Sequence, residues 1–220
     1  MNKIDNSYGI LTYNMGRVVL GCLALAGLLF IAAPFFLRDA VPFFSVSEAE
    51  YKRFWPYAPS IFLHVVAGTL AMFLGPLQFI GSIRRRYPTV HRVTGYIYLG
   101  AITIGSLSAF QMSFHIELTR TVGFAVGLFC LAVCWLVSGV LAYYAIMKRN
   151  ILLHQQLLAQ NYALTFSFAL TRWLWDLDIA FIQNMGPMRY ITMGWAGWIT
   201  PFTLVGFYFQ FRNLNKKRKT

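Results

Sequence analysis

Long runs of apolar residues, separated by short polar and basic segments, organise the chain. Each run holds about 20 residues or more, the length that an α-helix needs to cross the hydrocarbon core of a bilayer. The runs cover residues 17–37, 57–80, 91–114, 121–147, 152–175 and 190–211. This pattern predicts an all-α, polytopic membrane protein with six transmembrane helices. Because the connections are short, we expect a single membrane domain over residues 1–220, with spans two to five as its core bundle.

The composition agrees with a membrane location. The 220-residue chain is 58% hydrophobic and 12% charged, whereas a soluble domain is about 45–50% apolar and about 25% charged. The net charge of +12 would suggest nucleic acid as the partner of a soluble protein. Here the basic residues flank apolar spans, so the expected partner is the lipid bilayer and no nucleic acid.

The distribution of basic residues predicts the orientation in the membrane. If the N-terminus is inside, the inner segments hold most of the 19 Lys and Arg residues and only Asp5 of the 7 acids. The inner basic residues are Lys3, Arg17, Arg84, Arg85, Arg86, Arg92, Lys148, Arg149, Arg212, Lys216, Lys217, Arg218 and Lys219. The positive-inside rule then places both termini in the cytoplasm.

The fifth span carries a stripe of polar residues along one face. At about 100° per residue, Asn161, Thr165 and Arg172 all fall within about 20° of His154 around the helix. The rest of this helix is mostly Leu, Ala, Phe and Tyr. A polar stripe on an apolar helix is expected to face other helices or a cofactor, because polar groups in contact with lipid are costly.

The second and third spans also carry polar and small residues on one face. Gln78, Gly68 and Gly75 share the face of His64 on the second span, and Tyr98, Gly95 and Gly105 share the face of His91 on the third. We therefore expect those glycines to line helix contacts. The polar residues predicted to line the bundle interior are His64, Gln78, Tyr98, Asn161, Thr165 and Arg172.

His91 and His154 are the candidate cofactor ligands. Each stands at the cytoplasmic start of its helix, so the two imidazoles lie at a similar depth and could be the axial ligands of a b-type haem. Arg92 is a candidate partner for the haem propionates, together with Arg84–Arg86, Lys148 and Arg149. The alternative is that both His residues only cap their helices or bind a neighbouring group or a lipid phosphate.

Other metal sites are weaker hypotheses. A zinc site at His91 and His154 would need further Cys, His, Asp or Glu ligands, and the many Arg residues nearby would repel a cation. Cys130 and Cys134 share one face of the fourth span, where small residues serve helix packing, although a metal pair is an alternative.

Three segments carry a family resemblance. They read LHVVAGTLAMFLGPLQF, RRRYPTVHRVTGYIYL and LLHQQLLAQNYALTFSFALTRWLW. Together they resemble a bacterial membrane-protein family known as domain of unknown function 2306, over about Ile61 to Trp175. Gln156, Leu157 and Leu158 depart from the aromatic and Met residues usual in that family. The resemblance implies a bacterial inner-membrane location and no particular chemistry. The matching motif residues are His64, Gly68, Gly75, Pro76 and Gln78, then His91, Arg92, Gly95 and Tyr98, then His154, Tyr162, Ala163, Leu164, Thr165 and Arg172.

Three classes of function are compatible with these residues. The first is a haem- or quinone-linked redox protein that uses His91 and His154. The second is a transporter of a small anionic or polar solute that uses His64, Asn161, Thr165 and Arg172. The third is a non-catalytic envelope protein in which the polar stripe only joins helices. No nucleotide-binding loop, nucleophile–base set or carboxylate pair is present, so no catalytic residue is predicted.

Overall fold

Five long helices dominate the protein. The structure, a computed structural model, describes residues 27, 30–115, 121–176, 184–186 and 188–217, and these contain no β-strand, which confirms the all-α prediction. The long helices are α1 (Ala58–Phe79), α2 (Pro88–Ser113), α3 (Val122–Met147), α4 (Ile151–Asp176) and α5 (Met188–Lys217). Shorter helical segments are Phe36–Ala40, Val41–Ser45, Glu48–Tyr51, Lys52–Tyr57 and Gly81–Arg86.

The helix boundaries follow local chemistry. Pro88 stands in the first turn of α2, where its missing N–H costs nothing. The Thr121 side chain accepts a hydrogen bond from the Phe124 amide and so caps α3. α5 continues to Lys217 and not to residue 211, so the helix includes part of the basic tail. The predicted first span lies mostly outside the described residues.

The first four long helices form a bundle in which each packs on its chain neighbour. α1 packs on α2, α2 on α3 and α3 on α4, while α4 returns to contact α1, and α5 covers α4 and α3. α2 and α4 therefore occupy opposite corners of the four-helix core. α2 runs antiparallel to α3, because Tyr96 contacts Tyr143 while Phe110 contacts Phe129. α4 also runs antiparallel to α3, because His154 bonds Ala142 while Asn161 bonds Trp135. The diagonal helices α2 and α4 therefore run parallel to each other.

The core lies where the five helices meet. Ile102 and Ala71 are fully buried, and Leu164 and Trp135 are almost so. A single buried cluster contains residues from all five helices, namely Ala71, Tyr98, Ala101, Ile102, Trp135, Leu164 and Trp198. The core therefore ties α5 to the four-helix bundle.

Three of the four predicted packing glycines lie at helix contacts. A Cβ atom on Gly75 would clash with the Tyr162 ring, one on Gly105 would lie 2.8 Å from the Trp135 ring, and one on Gly95 would lie 3.2 Å from Gln78 Oε1. The prediction is wrong for Gly68, where a Cβ would meet no atom within 4 Å. Gly68 lines an internal cavity instead.

The outer surface of the bundle is apolar, as a lipid-facing surface must be. Leu70 and Phe73 on α1 and Ile104 and Leu107 on α2 are all exposed. Among the described residues, the helical stretches Phe54–Phe79, Pro88–Ser113 and Val122–Met147 are long and apolar enough to cross a bilayer. The predicted total of six spans is not settled by this finding and stays a prediction.

A candidate functional site inside the helical bundle

A hydrogen-bond network joins the diagonal helices at the centre of the bundle. The Tyr98 hydroxyl donates to Asn161 Oδ1 at 2.6 Å and lies 3.2 Å from Thr165 Oγ1. Asn161 is fully buried and Tyr98 is 3% exposed. The structure therefore brings three of the predicted stripe residues into direct contact. Buried polar groups need such partners, because an unmade hydrogen bond inside an apolar core is costly.

α3 completes this network with groups that the sequence analysis did not single out as partners. Asn161 Nδ2 donates to the Trp135 carbonyl at 2.6 Å and to Ser138 Oγ at 2.9 Å, and Trp135 Nε1 donates to Thr165 Oγ1 at 2.8 Å. All hydrogen-bonding atoms of the Asn161 amide thus have partners. One available signal was Trp135 itself, since a tryptophan inside a transmembrane helix needs an acceptor for its N–H.

His91 and His154 stand at equivalent heights below this network. His91 precedes Tyr98 by seven residues, and His154 precedes Asn161 by seven. Seven residues are two helical turns, so each His shares a face with its network residue about 10 Å further along the axis. The two rings are half-buried and close enough to interact electrostatically.

The His154 ring is fixed by a hydrogen bond to the backbone of α3. Its Nδ1 lies 2.8 Å from the Ala142 carbonyl oxygen. Because a carbonyl can only accept, Nδ1 must carry the proton, and Nε2 then has a lone pair available. This is the arrangement in which a histidine ligates a metal through Nε2 while a second group orients the ring through Nδ1–H.

The basic residues near the His pair differ in their surroundings. Arg84 is close enough to His91 to interact with it electrostatically. Arg92 is exposed, and its Nε donates to the Pro88 carbonyl at 3.4 Å. Arg86 lies over the Tyr87 ring. This end of the bundle is therefore strongly cationic.

Gln78 belongs to the His91 end and not to the central network. Its side-chain amide lies 2.8 Å from Thr94 Oγ1. With its oxygen towards Thr94 and the Gly95 amide, its nitrogen reaches the His91 carbonyl oxygen at 3.3 Å. Gln78 therefore ties the end of α1 to the first turns of α2.

His64 lies at the other end of the bundle, against a cavity. Its Nδ1 is 2.9 Å from the Gly105 carbonyl oxygen, so Nδ1 again carries the proton and Nε2 is left as an acceptor. Gly105 lies 14 residues after His91 on α2, roughly 20 Å along the helix. His64 and His91 therefore do not converge.

The cavity beside His64 has a volume of about 580 Å³. It is lined by residues of all five long helices and by the segment around Phe36 and Asp39, and most of its lining is apolar. Its polar lining includes His64, Thr69, Trp135, Thr165, Ser167, Thr171, Arg172 and Trp198. Thr165 and Trp135 thus belong both to the cavity wall and to the central network.

Arg172 lines the cavity as a member of an ion cluster. Its Nη2 is 3.6 Å from Asp39 Oδ1, and Arg38 bonds both Asp39 and Asp176 at 2.7 Å. The hydrogen bonds with Asp39 and Asp176 raise the pKa of Arg38 above its ordinary value. Two Arg and two Asp side chains therefore compensate one another, and the Arg172 charge is not an isolated one.

No group of three or more His, Cys, Asp or Glu side chains comes together in the described parts of the chain. Cys130 and Cys134 are free thiols, half-buried against the core cluster. Their position agrees with a packing role.

These observations define the class of protein: a helical, integral membrane protein with an internal polar network and an internal cavity. The family model described as "Predicted membrane protein (DUF2306)" matches residues 61–209. The chain belongs to this family, as its motifs suggested. No match was found among curated proteins or solved structures.

Proposed function

We propose that the protein binds a b-type haem between His91 and His154 and serves as a redox-linked membrane protein. The observation that carries this proposal is the shared height of the two histidines. They stand on parallel, diagonal helices, each two turns from the Tyr98–Asn161 hydrogen bond. Two residues on facing helices are the usual way in which a helical bundle holds a cofactor.

The ligand set favours haem over other metal groups. Haem iron needs only two axial ligands from the protein, because the macrocycle supplies the rest. Zinc needs four ligands, or three and a water, and the described residues bring no third donor to this pair. The hydrogen bond from His154 Nδ1–H to the Ala142 carbonyl would orient the ring for ligation through Nε2.

The surrounding charge suits the propionate groups of haem. Arg84 acts electrostatically on His91, and Arg92 lies exposed one residue further along α2. These guanidinium groups would pair with carboxylates at the membrane surface. We propose, in line with the positive-inside rule, that the site lies at the cytoplasmic face of a bacterial inner membrane and that both chain termini are cytoplasmic.

A bound haem would supply one-electron redox chemistry at this site. His91 and His154 would hold the group between α2 and α4. The Tyr98–Asn161 network would fix the spacing of α2 and α4 directly above the site. This role requires no catalytic residue.

The test is haem content and spectrum after expression with added haem precursor and purification in mild detergent. We expect one haem per chain and the reduced-minus-oxidised spectrum of a low-spin b-type haem. His91→Ala and His154→Ala should each lose that spectrum. His115→Ala is the matched control, because His115 follows the far end of α2 and stacks on Tyr57.

Two results would refute the proposal. One is wild-type protein that takes up no haem under these conditions. The other is an unchanged low-spin spectrum in both His91→Ala and His154→Ala. Loss of haem in the His115 variant as well would mean that the signal does not report this site.

Transport of a small anionic or polar solute is the second candidate. It is favoured by the cavity, which Arg172 lines. It takes second place because Asp39 compensates the Arg172 charge, so an anion would have to displace a carboxylate. Uptake of an anion into proteoliposomes that is abolished by Arg172→Gln would favour transport. A role as a non-catalytic envelope protein is expected if neither haem uptake nor transport is found.

A further inference from the structure

We infer that the cavity beside His64 is a binding site for a neutral, lipophilic quinone or quinol. The inference goes beyond the proposed haem site, because the cavity occupies the other half of the bundle and needs no iron. It depends on three properties of the described lining: its size and aromatic character, its charge balance, and the hydrogen-bonding atoms His64 Nε2 and Trp198 Nε1.

The size and lining fit an aromatic head group with part of an apolar tail. A volume of about 580 Å³ lies within the range of roughly 300–1,000 Å³ that is typical of small-molecule sites. Aromatic side chains that line the cavity include Phe35, Phe36, Phe43, Phe54, Phe124, Phe168, Trp135, Trp175 and Trp198. Such rings stack on a planar ligand and repel none of its apolar parts.

The charge balance excludes strongly charged ligands. Of the described residues that line the cavity, Asp39 and Arg172 carry full charges, and their side chains lie 3.6 Å apart. Asp39 also bonds Arg38 at 2.7 Å. A carboxylate or ammonium ligand would have to break this pairing in an apolar environment, which is costly. A neutral ligand leaves it intact.

Two lining side chains supply the polar recognition. His64 donates through Nδ1 to Gly105, which leaves Nε2 as an acceptor. Trp198 is 7% exposed, and its Nε1–H meets no acceptor among the described residues. A buried N–H without an acceptor costs about 1–3 kcal/mol. This group therefore favours a ligand that supplies an oxygen atom.

Three hydroxyl groups of the wall are already bonded within their own helix. Thr165, Thr171 and Ser167 donate to the carbonyls of Asn161, Ser167 and Leu164. His64 Nε2 and Trp198 Nε1–H offer one acceptor and one donor. A quinone has carbonyl oxygens that accept from an N–H, and a quinol has hydroxyls that also donate to an imidazole nitrogen. The quinone can therefore accept from the Trp198 N–H. The quinol can in addition donate to His64 Nε2.

Gly68 gives the site part of its room. A Cβ at this position would meet nothing within 4 Å, and the residue lines the cavity. A larger side chain here would extend into the space proposed for the ligand. Gly68→Leu is therefore a variant that fills the site without displacing a neighbouring helix.

The experiment is titration of the detergent-purified protein with decylubiquinone while tryptophan fluorescence is recorded. Quinones quench tryptophan, and Trp135, Trp175 and Trp198 all line the cavity. We expect saturable quenching with one site per chain. His64→Phe and Trp198→Phe should each raise Kd roughly tenfold, the effect of losing about one hydrogen bond. Gly68→Leu should abolish saturable quenching.

Two matched controls lie outside the cavity. Trp195 stands one helical turn from Trp198, and its Nε1 donates to the Gly123 carbonyl at 3.1 Å. Trp195→Phe should therefore leave Kd unchanged, as should His115→Phe. Thermal stability and size-exclusion profiles identify any variant that fails to fold, and in that case the remaining cavity variants decide.

Several outcomes would overturn the inference. Quenching that is linear in quinone concentration and equal in all proteins would mean partition into detergent only. Equal competition by decylbenzene, which has no oxygen atoms, would show that the cavity does not recognise the quinone head group. Tighter competition by palmitate would replace a neutral ligand by an anionic one. Loss of haem from the His91 and His154 variants does not bear on any of these results.

Discussion

Tyr98 and Asn161 share a 2.6 Å hydrogen bond that joins α2 and α4 across opposite corners of the bundle. Both side chains are buried, and Asn161 also bonds the Trp135 carbonyl and Ser138 on α3. One amide therefore connects three helices. In a bilayer, where lipid tails are as apolar as the core, such bonds help to decide which helix faces meet.

Replacement of Asn161 by Leu should destabilise the bundle by about 1–2 kcal/mol, because the substitution removes the acceptor of the Tyr98 hydroxyl and the amide that donates to Ser138. Unfolding in a denaturing detergent measures this loss. The control is Tyr98→Phe, which keeps the ring and removes only the hydroxyl. Combined with Asn161→Leu in a double-mutant cycle, it should show coupling. Strictly additive effects would contradict a direct bond between the two side chains.

Gly68→Ala and Gly105→Ala should change stability in opposite directions. A methyl group at position 68 enters open space, so the variant should gain about 0.5–1 kcal/mol from helix propensity. At position 105 the same group would lie 2.8 Å from Trp135, whose ring is held by its hydrogen bond to Thr165. This variant should lose about 1–3 kcal/mol through overpacking. Thermal unfolding of the two proteins checks the difference in sign.

Two buried serines should respond differently to loss of their hydroxyl groups. Ser138 accepts from Asn161, so Ser138→Ala should cost about 1 kcal/mol. Within residues 30–115, 121–176 and 188–217, Ser106 Oγ is buried without a hydrogen-bond partner. Ser106→Ala should therefore leave Tm unchanged or raise it. A large fall in Tm for Ser106→Ala would mean that this hydroxyl has a partner, such as an ordered water molecule.

Reporter fusions test the proposed orientation. Fusions after Arg86 and after Lys219 should report the cytoplasm, because the segments there are rich in Arg and Lys. Fusions near Glu48 and Asp178 should report the external side. A C-terminal fusion on the external side would require an odd number of spans after a cytoplasmic N-terminus.

The long helices were predictable because their signal is local. The spans predicted at 121–147 and 152–175 differ by one residue at most from Val122–Met147 and Ile151–Asp176. Apolar runs flanked by charge fix these limits in a membrane. The extension of α5 to Lys217 is not predicted, because the mostly polar and basic sequence after residue 211 has no apolar run to mark a helix.

The site was only partly predictable. The pairing of Tyr98 with Asn161 follows the helix faces that the sequence analysis identified. The part played by Trp135 does not follow, because its position against Thr165 depends on how α3 is rotated between its neighbours. The role of Gly68 was not predictable either, because a glycine at a helix contact and a glycine that lines a cavity look identical in a sequence.

The 30 residues of α5 reach about 45 Å, although the hydrocarbon core of a bilayer is only about 30 Å thick. In the six-span prediction α5 is the last span, and at ordinary tilt angles several of its turns then lie among the head groups or in water. Its last turns include Arg212, whose guanidinium stacks on the Phe209 ring. In that prediction, the basic end of α5 anchors the C-terminal side of the bundle at the membrane surface, because burying its charges in the hydrocarbon core would be costly.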